Sequence, residues 1–258
     1  MTKNNDILSY LDSIAPLRSA ESYDNVGLLV GSGDSPVGGI CCCLDITDEI
    51  IREAAAKGAS LIVAHHPVIF HPLKKLPTYS VVYRLIENGI SAICVHTNFD
   101  ICEGGVNDTL VELLEMERSE PLTPSGYGAV CELPFCFTPK TLAEHCQRAL
   151  DLECVRYSRA GGDSREIRRA AVCCGSGVDG EVMELALEKG CGAIISGDIK
   201  HSCWIEAQAC GIALVDAGHY GTERAFADKA AMLLTKAFPH IPVFAADSQT
   251  DPCCVTVG

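Results

Sequence analysis

The stretch TDEIIREAAAKGASLIVAHHP, Thr47 to Pro67, decides how the rest of the chain is read. Thr47 offers a hydroxyl that caps a helix N-terminus, and the helix runs through Lys57 to a stop at Gly58. Leu61-Ile-Val-Ala64 is apolar at every position, which predicts a strand buried on both faces. It ends abruptly in His65-His66-Pro67. Working outward, Gly39-Ile-Cys-Cys-Cys-Leu-Asp45 is an apolar run of strand length. Tyr79 to Glu87 reads as a helix ended by Gly89, and Ile90 to Val95 as another strand. Strand, helix, strand, helix, strand predicts an α/β fold with a parallel sheet and right-handed crossovers. Before it, Asp6 to Leu17 has helical spacing at Ile7, Leu8, Leu11 and Ile14.

Downstream, Tyr127 to Leu133 reads as a strand. Thr138 and Pro139 are cap and first residue of a helix to about Leu150, and Cys154 to Tyr157 is a short strand. The Ala160-Gly-Gly-Asp-Ser164 tract is a turn or linker. The alternation then resumes, with strands at Ala170–Cys174, Ala193–Ser196 and Ile212–Val215 and helices at Glu181–Lys189 and about Ser202–Cys210. A single long helix is expected from about Tyr220 to Ala237, then strands near Val243 and Val255. The halves echo one another, so we expect two similar α/β lobes, roughly 1–124 and 125–258, with the C-terminal segment returning to the first.

Composition narrows the function classes. The 258 residues, 48% of them hydrophobic, carry enough apolar side chain for a core that needs no staples. A net charge of −14 argues against a nucleic-acid binder, and Arg165, Arg168 and Arg169 read as a solvated strand end. An acidic chain still binds anionic small molecules where metal ions supply the local positive field. Sixteen cysteines suggest disulfides at first sight. No secretory h-region stands at Met1–Leu17, however, and no C-x-x-C pair occurs, so they read as small buried hydrophobes of a cytoplasmic protein. No apolar run is long enough to span a membrane.

Four apolar strands run into polar residues: His65-His66, His96-Thr-Asn-Phe-Asp100, Gly197-Asp-Ile-Lys-His201 and Gly218-His-Tyr-Gly-Thr-Glu223. The carboxyl ends of parallel strands line one sheet edge, where ligands bind. His219 and Glu223, four apart, share a helix face. His65 and His66 are neighbours at a strand end, where adjacent side chains diverge, so each can serve a different ion. Asp100 can bridge both, as carboxylates do in two-metal sites. The nitrogen and oxygen donor set of His65, His66, Asp100, His219 and Glu223 suits two divalent ions of Zn, Mn or Fe. His96 stands beside them as a further ligand or a proton carrier. His71, His145, His201 and His240 read as structural.

The strings Asp24-Asn-Val-Gly-Leu-Leu-Val-Gly31, Leu44-Asp-Ile-Thr47, Ala64-His-His-Pro-Val-Ile-Phe70, His96-Thr-Asn-Phe-Asp100, Gly105-Val-Asn-Asp108 and Asp216-Ala-Gly-His-Tyr-Gly-Thr-Glu223 resemble the NIF-three-like (YbgI-type) family. Many of its members bear the name GTP cyclohydrolase 1 type 2 homologue. The resemblance runs in order over nearly the whole chain. It implies two intertwined α/β lobes, a dinuclear metal site in the cleft between them on His65, His66, Asp100, His219 and Glu223, and a toroidal homohexamer built as a trimer of dimers. Tyr23 stands where the family usually has Trp, and the chain is too short for the inserted domain of longer members.

A second motif competes. Gly175-Ser-Gly-Val-Asp-Gly180 fits G-x-G-x-x-G between a strand and a helix, with Asp198 about 20 residues on, as in dinucleotide sites. A phosphate or carboxylate cradle and a plain tight turn are the other readings of this loop. The favoured expectation is a metal-dependent hydrolase acting on a small nucleotide-like or phosphorylated substrate. A non-enzymatic metal-binding or interaction protein and a dinucleotide-dependent oxidoreductase are the alternatives.

Overall fold

The computed structural model describes residues 1–256. Its chain divides into two compact units, each with its own sheet. The first comprises Met1–Gly105 and Arg224–Thr250; the second comprises Val106–Glu223 and a tail segment beginning at Asp251.

The strands of the first unit are β1 (Gly27–Val30), β2 (Ile40–Cys43), β3 (Leu61–Ala64), β4 (Ser91–Cys94) and β11 (Val243–Ala245), in the order β1-β4-β3-β2-β11. All neighbours are parallel except β1, which lies antiparallel on β4. Its helices are α1 (Asn4–Ile14), α2 (Asp48–Ala56), α3 (Val81–Glu87), α4 (Thr97–Ile101) and α10 (Phe226–Ala237). The α2 helix forms as its sequence dictates: the Thr47 hydroxyl accepts from the Ile50 amide, Asp48 and Glu49 occupy the first turn, and Ile50, Ile51 and Ala54 are buried. They pack with Cys41, Cys43, Ile62 and Leu85 into one apolar core. Full burial of side chains such as Ile62 and Leu85 contributes roughly 1.5–3 kcal/mol each. Register then places the functional residues. Cys43 pairs with Ala64 and Ala64 with Cys94, so the strands end level and the residues after them emerge side by side.

The second unit contains β5 (Glu117–Pro121), β6 (Ala129–Phe137), β7 (Arg156–Tyr157), β8 (Ile167–Val172), β9 (Ala193–Ser196) and β10 (Ala213–Asp216), in the order β5-β6-β8-β9-β10-β7. Here β8, β9 and β10 are parallel, while β5, β6 and β7 run antiparallel to their neighbours. The helices are α5 (Val106–Leu113), α6 (Pro139–Ala149), α7 (Gly180–Glu188), α8 (His201–Cys210) and α9 (His219–Glu223). Thr138 caps α6 with Pro139 at its first turn, as the sequence predicts. Asp216 pairs with Ser196, which again brings strand ends level, here those leading to Asp198 and His219.

The long helix expected from Tyr220 to Ala237 is two helices. It breaks at Arg224–Ala225, where the chain passes from one unit to the other. Thr222 turns its hydroxyl back to the carbonyls of Gly218 and His219. Beyond the break Phe226 is buried against Phe99, with ring centroids 5.2 Å apart. Val255 lies in irregular chain, not in a strand. Among the described residues no helix is long and apolar enough to cross a membrane. Ten of the sixteen cysteines are buried as expected, and burial pushes the Cys41 and Cys131 thiols up to about 12 and those of Cys42 and Cys43 well above their ordinary value, but Cys136, Cys154, Cys210, Cys253 and Cys254 are exposed.

Candidate metal centre

In the first unit the hydrogen-bond ladder continues past the strand ends: His65 N–H reaches the Cys43 carbonyl, His66 N–H that of Leu44 and Val95 N–H that of Ala64. This fixes three histidines on one edge. The donor atoms of His65, His66 and His96 all lie within 4.8 Å of one another. The single turn of α4 brings Asp100 to them, with its Oδ1 3.3 Å from His65 Nε2. His65 is fully buried and Asp100 is 5% exposed. One face of the His65 ring lies against Phe226, centroid to centroid 4.8 Å.

In the second unit His219 and Glu223 open and close α9, and Nε2 of the first lies 3.0 Å from Oε2 of the second. Asp216, at the end of β10, accepts from the Gly218 amide at 3.0 Å and the Ile199 amide at 3.2 Å. One buried carboxylate thus steadies both loops that deliver this pair and Asp198. Gly197 lies so close to the Gly218–His219 peptide that a Cβ there would fall 2.6 Å from His219 N.

The ring nitrogens show a common arrangement. His65 Nδ1 donates to the Val95 carbonyl at 2.9 Å, which only accepts, so the proton must sit on Nδ1. His66 Nδ1 meets Asp45 at 2.8 Å, His96 Nδ1 meets Asp24 at 2.9 Å and His219 Nδ1 meets Asp198 at 2.9 Å. With Nδ1 protonated and engaged, the Nε2 lone pair is the one available to a cation. Metal-binding histidines are oriented by this kind of outer hydrogen bond. The donor set, imidazole nitrogen and carboxylate oxygen without thiolate, therefore fits a divalent ion such as Zn, Mn or Fe. Asp24 is the most constrained of the outer acids. Burial would raise its carboxyl, but hydrogen bonds from His96, from the Thr97 hydroxyl at 2.6 Å and from the Asn25 amide hold it well below the usual carboxylate range.

All the ligand candidates named from the sequence therefore stand at sheet edges or on the short helices that follow them, grouped within their own units as His65, His66, His96 and Asp100, and as His219 and Glu223. The outer carboxylates Asp24 and Asp45 were not assigned a role from sequence, and Asp198 only that of the acid in the dinucleotide reading, although each stands in a string already singled out; the signal was an acid at a strand end or tight turn. The other histidines are elsewhere: His145 Nε2 bonds the Leu114 carbonyl and His240 Nε2 the Thr2 hydroxyl. At the end of the Gly175–Gly180 loop the Asp179 side chain caps α7 and accepts from the Val182 amide.

Comparison with known proteins agrees with this architecture. A GTP cyclohydrolase 1 type 2 homolog from Clostridium perfringens is 35% identical over 233 residues, covering 86% of this chain and 87% of its own. The GTP cyclohydrolase 1 type 2 of Helicobacter pylori is 36% identical over 232 residues, covering 86% and 87%. The crystal structure of the Staphylococcus aureus hypothetical protein SA1388 superposes with a TM-score of 0.91 at 28% identity, covering 98% of this chain and 99% of that one. A Bacillus cereus protein related to NIF3 has the same fold, with a TM-score of 0.92 at 22% identity and 99% of each chain covered. The family model for Duf34/NIF3 (NGG1p interacting factor 3) matches residues 2–252, and the chain belongs to that family.

Proposed function

We propose that this protein binds two divalent metal ions through His65, His66, Asp100, His219 and Glu223 and hydrolyses a small nucleotide-like or phosphorylated substrate. The observation that carries the reading is the shared orientation of the histidines: each has Nδ1 tied to an oxygen acceptor, which leaves the ring lone pair on Nε2. A structural histidine has no need of such uniformity. Divalent ions bound there would lower the pKa of water towards 7 and polarise an electrophile. The protein's own contribution is orientation and proton handling. Asp45 and Asp198 aim His66 and His219, while Asp24 holds His96 as a proton carrier at Nε2 for the leaving group. The name GTP cyclohydrolase 1 type 2 carried by relatives supports a purine nucleotide as the first substrate to try.

The test is turnover of GTP and a panel of phosphoesters by protein stripped of metal and then reloaded with Zn, Mn or Fe. The expected result is activity that requires the added ion and vanishes with chelator. Metal-replete protein that shows no turnover above buffer would leave the metal-binding, non-enzymatic reading in its place. As part of the same reading we place the chain in the cytoplasm as a homohexamer, a trimer of dimers. A stable monomer by light scattering at micromolar concentration would remove that assembly.

A further inference from the structure

The glycine-rich loop after β8 is the one prominent sequence motif that the metal reading leaves without a task. Its first glycine, Gly175, has φ +57° and sits against the Glu223–His219 pair. A Cβ built on it would collide with Glu223 Oε1, lie 3.1 Å from Glu223 Cδ and lie 3.3 Å from His219 Nε2.

The backbone at this point cannot retreat. Gly175 N–H donates to the Thr222 hydroxyl at 3.0 Å, one residue before Glu223. Its carbonyl accepts from the Gly197 amide at 2.8 Å and from the Ser196 hydroxyl at 3.0 Å. The preceding residue is held as firmly, with Cys174 N–H on Asn107 Oδ1 at 2.9 Å and the Tyr127 hydroxyl on the Cys174 carbonyl at 2.6 Å. Thr222 and Glu223 are each 3% exposed, so the carboxylate has little room to swing away. The second glycine of the motif has a different neighbour, because a Cβ on Gly177 would strike the Tyr127 ring and lie 2.9 Å from Cys173 Cβ. With Asp179 capping the start of α7, the first two glycines of the loop are explained by what packs on them.

We infer that Gly175 is a positioning residue for the Glu223–His219 pair: the space left by its missing side chain is where the Glu223 carboxylate lies, and its amide holds α9 through Thr222. This rests on the metal-binding reading for its functional meaning, though the packing relation stands independently.

The experiment compares Gly175→Ala in two backgrounds, the unaltered protein and Glu223→Ala, by thermal unfolding of metal-free protein and by zinc titration. Backbone strain from the left-handed conformation is the same in both backgrounds, whereas the collision exists only where Glu223 is present. Gly175→Ala should therefore lower Tm by at least about 4 °C more in the unaltered background, a coupling expected only for groups in contact. Where Gly175→Ala folds, its zinc affinity should fall about 10–100-fold, the usual cost of disturbing a residue that orients a ligand. If the single variant fails to fold but the double variant folds, the coupling is shown in its strongest form. Equal losses of Tm in both backgrounds, or failure of both to fold, would overturn the inference. Absence of zinc binding by the unaltered protein would instead count against the metal reading, and the thermal coupling would still decide the role of Gly175.

Discussion

Asp24 Oδ1 lies 2.9 Å from His96 Nδ1, and the Asp24 side chain is wholly shielded from solvent while the His96 side chain remains 19% exposed. The acid is further tied to the Thr97 amide and hydroxyl, so the ring cannot rotate without breaking several bonds to a buried charge. Asp24→Asn keeps the shape but places an amide donor where one of these donors must be accepted. We expect turnover to fall about 10–100-fold with metal content retained, since the imidazole is displaced and no ligand is removed. Parallel steady-state kinetics and elemental analysis check this. Loss of metal in step with activity would make His96 a ligand and end its role as a proton carrier.

Metal stoichiometry tests the ligand assignment directly. Elemental analysis of carefully handled protein should give about two divalent ions per chain, as in two-metal hydrolytic sites. Asp100→Ala should lose both, because in the proposed site its carboxylate would serve both ions, whereas His65→Ala or His66→Ala should spare one. Full occupancy in Asp100→Ala would refute the shared-ligand role.

Phe226 is 1% exposed and touches both His65 and Phe99 through its ring. Phe226→Ala should cost about 3–5 kcal/mol, the range for emptying a buried aromatic site. The cavity also removes the wall behind His65, so metal affinity should drop although no ligand is changed. Urea unfolding of metal-free protein, paired with zinc titration, separates the two effects. A loss under 1 kcal/mol would show that the site collapses around the smaller side chain.

Glu53 gives a pH dependence remote from the ligands. Burial acts to raise its carboxyl, but bonds from the Lys57 ammonium, the Ser248 hydroxyl and the amides of Asp247 and Ser248 prevail and bring it from 4.5 to about 2. A carboxyl depressed in the folded state contributes stability that is complete above its unfolded pKa and lost as pH falls through its folded one. Attachment of the 247–248 segment should therefore weaken between about pH 4.5 and 2. Hydrogen exchange at the Asp247 and Ser248 amides reads this, and Glu53→Gln should show the weakened state at neutral pH. Protection unchanged from pH 5 to pH 2.5 would contradict the assignment.

Much of this was legible in the sequence where local signals and burial agree. Leu61–Ala64 and Ala193–Ser196 are strands at the expected bounds, because a short run dominated by apolar residues between helices has few other uses. The ligand candidates could be found because they follow such runs. What escaped depended on contacts distant in sequence. The edge strands β1 and β5 carry mixed or exposed side chains and form by pairing with β4 and β6, which no local pattern announces. The break before Phe226 was hidden by continuous helical composition, since it reflects the burial of that ring and the turn of the Thr222 hydroxyl. Asp24, Asp45 and Asp198 stood in strings already singled out, but a carboxylate's partner on another strand end is invisible until register is known.

The pairing of β11 with β2 bears on how the chain is made. Translation delivers residues from the N-terminus, so Ile40–Cys43 leaves the ribosome long before Val243–Ala245 exists. Until then one side of an apolar, cysteine-rich strand stays open, and the second unit, most of which is encoded in the interval from Val106 to Glu223, has time to form. The sheet begun first is completed last. During synthesis the nascent protein therefore carries an unpaired sheet edge of the kind that recruits other strands, and a chaperone that shields such edges is most needed in that interval.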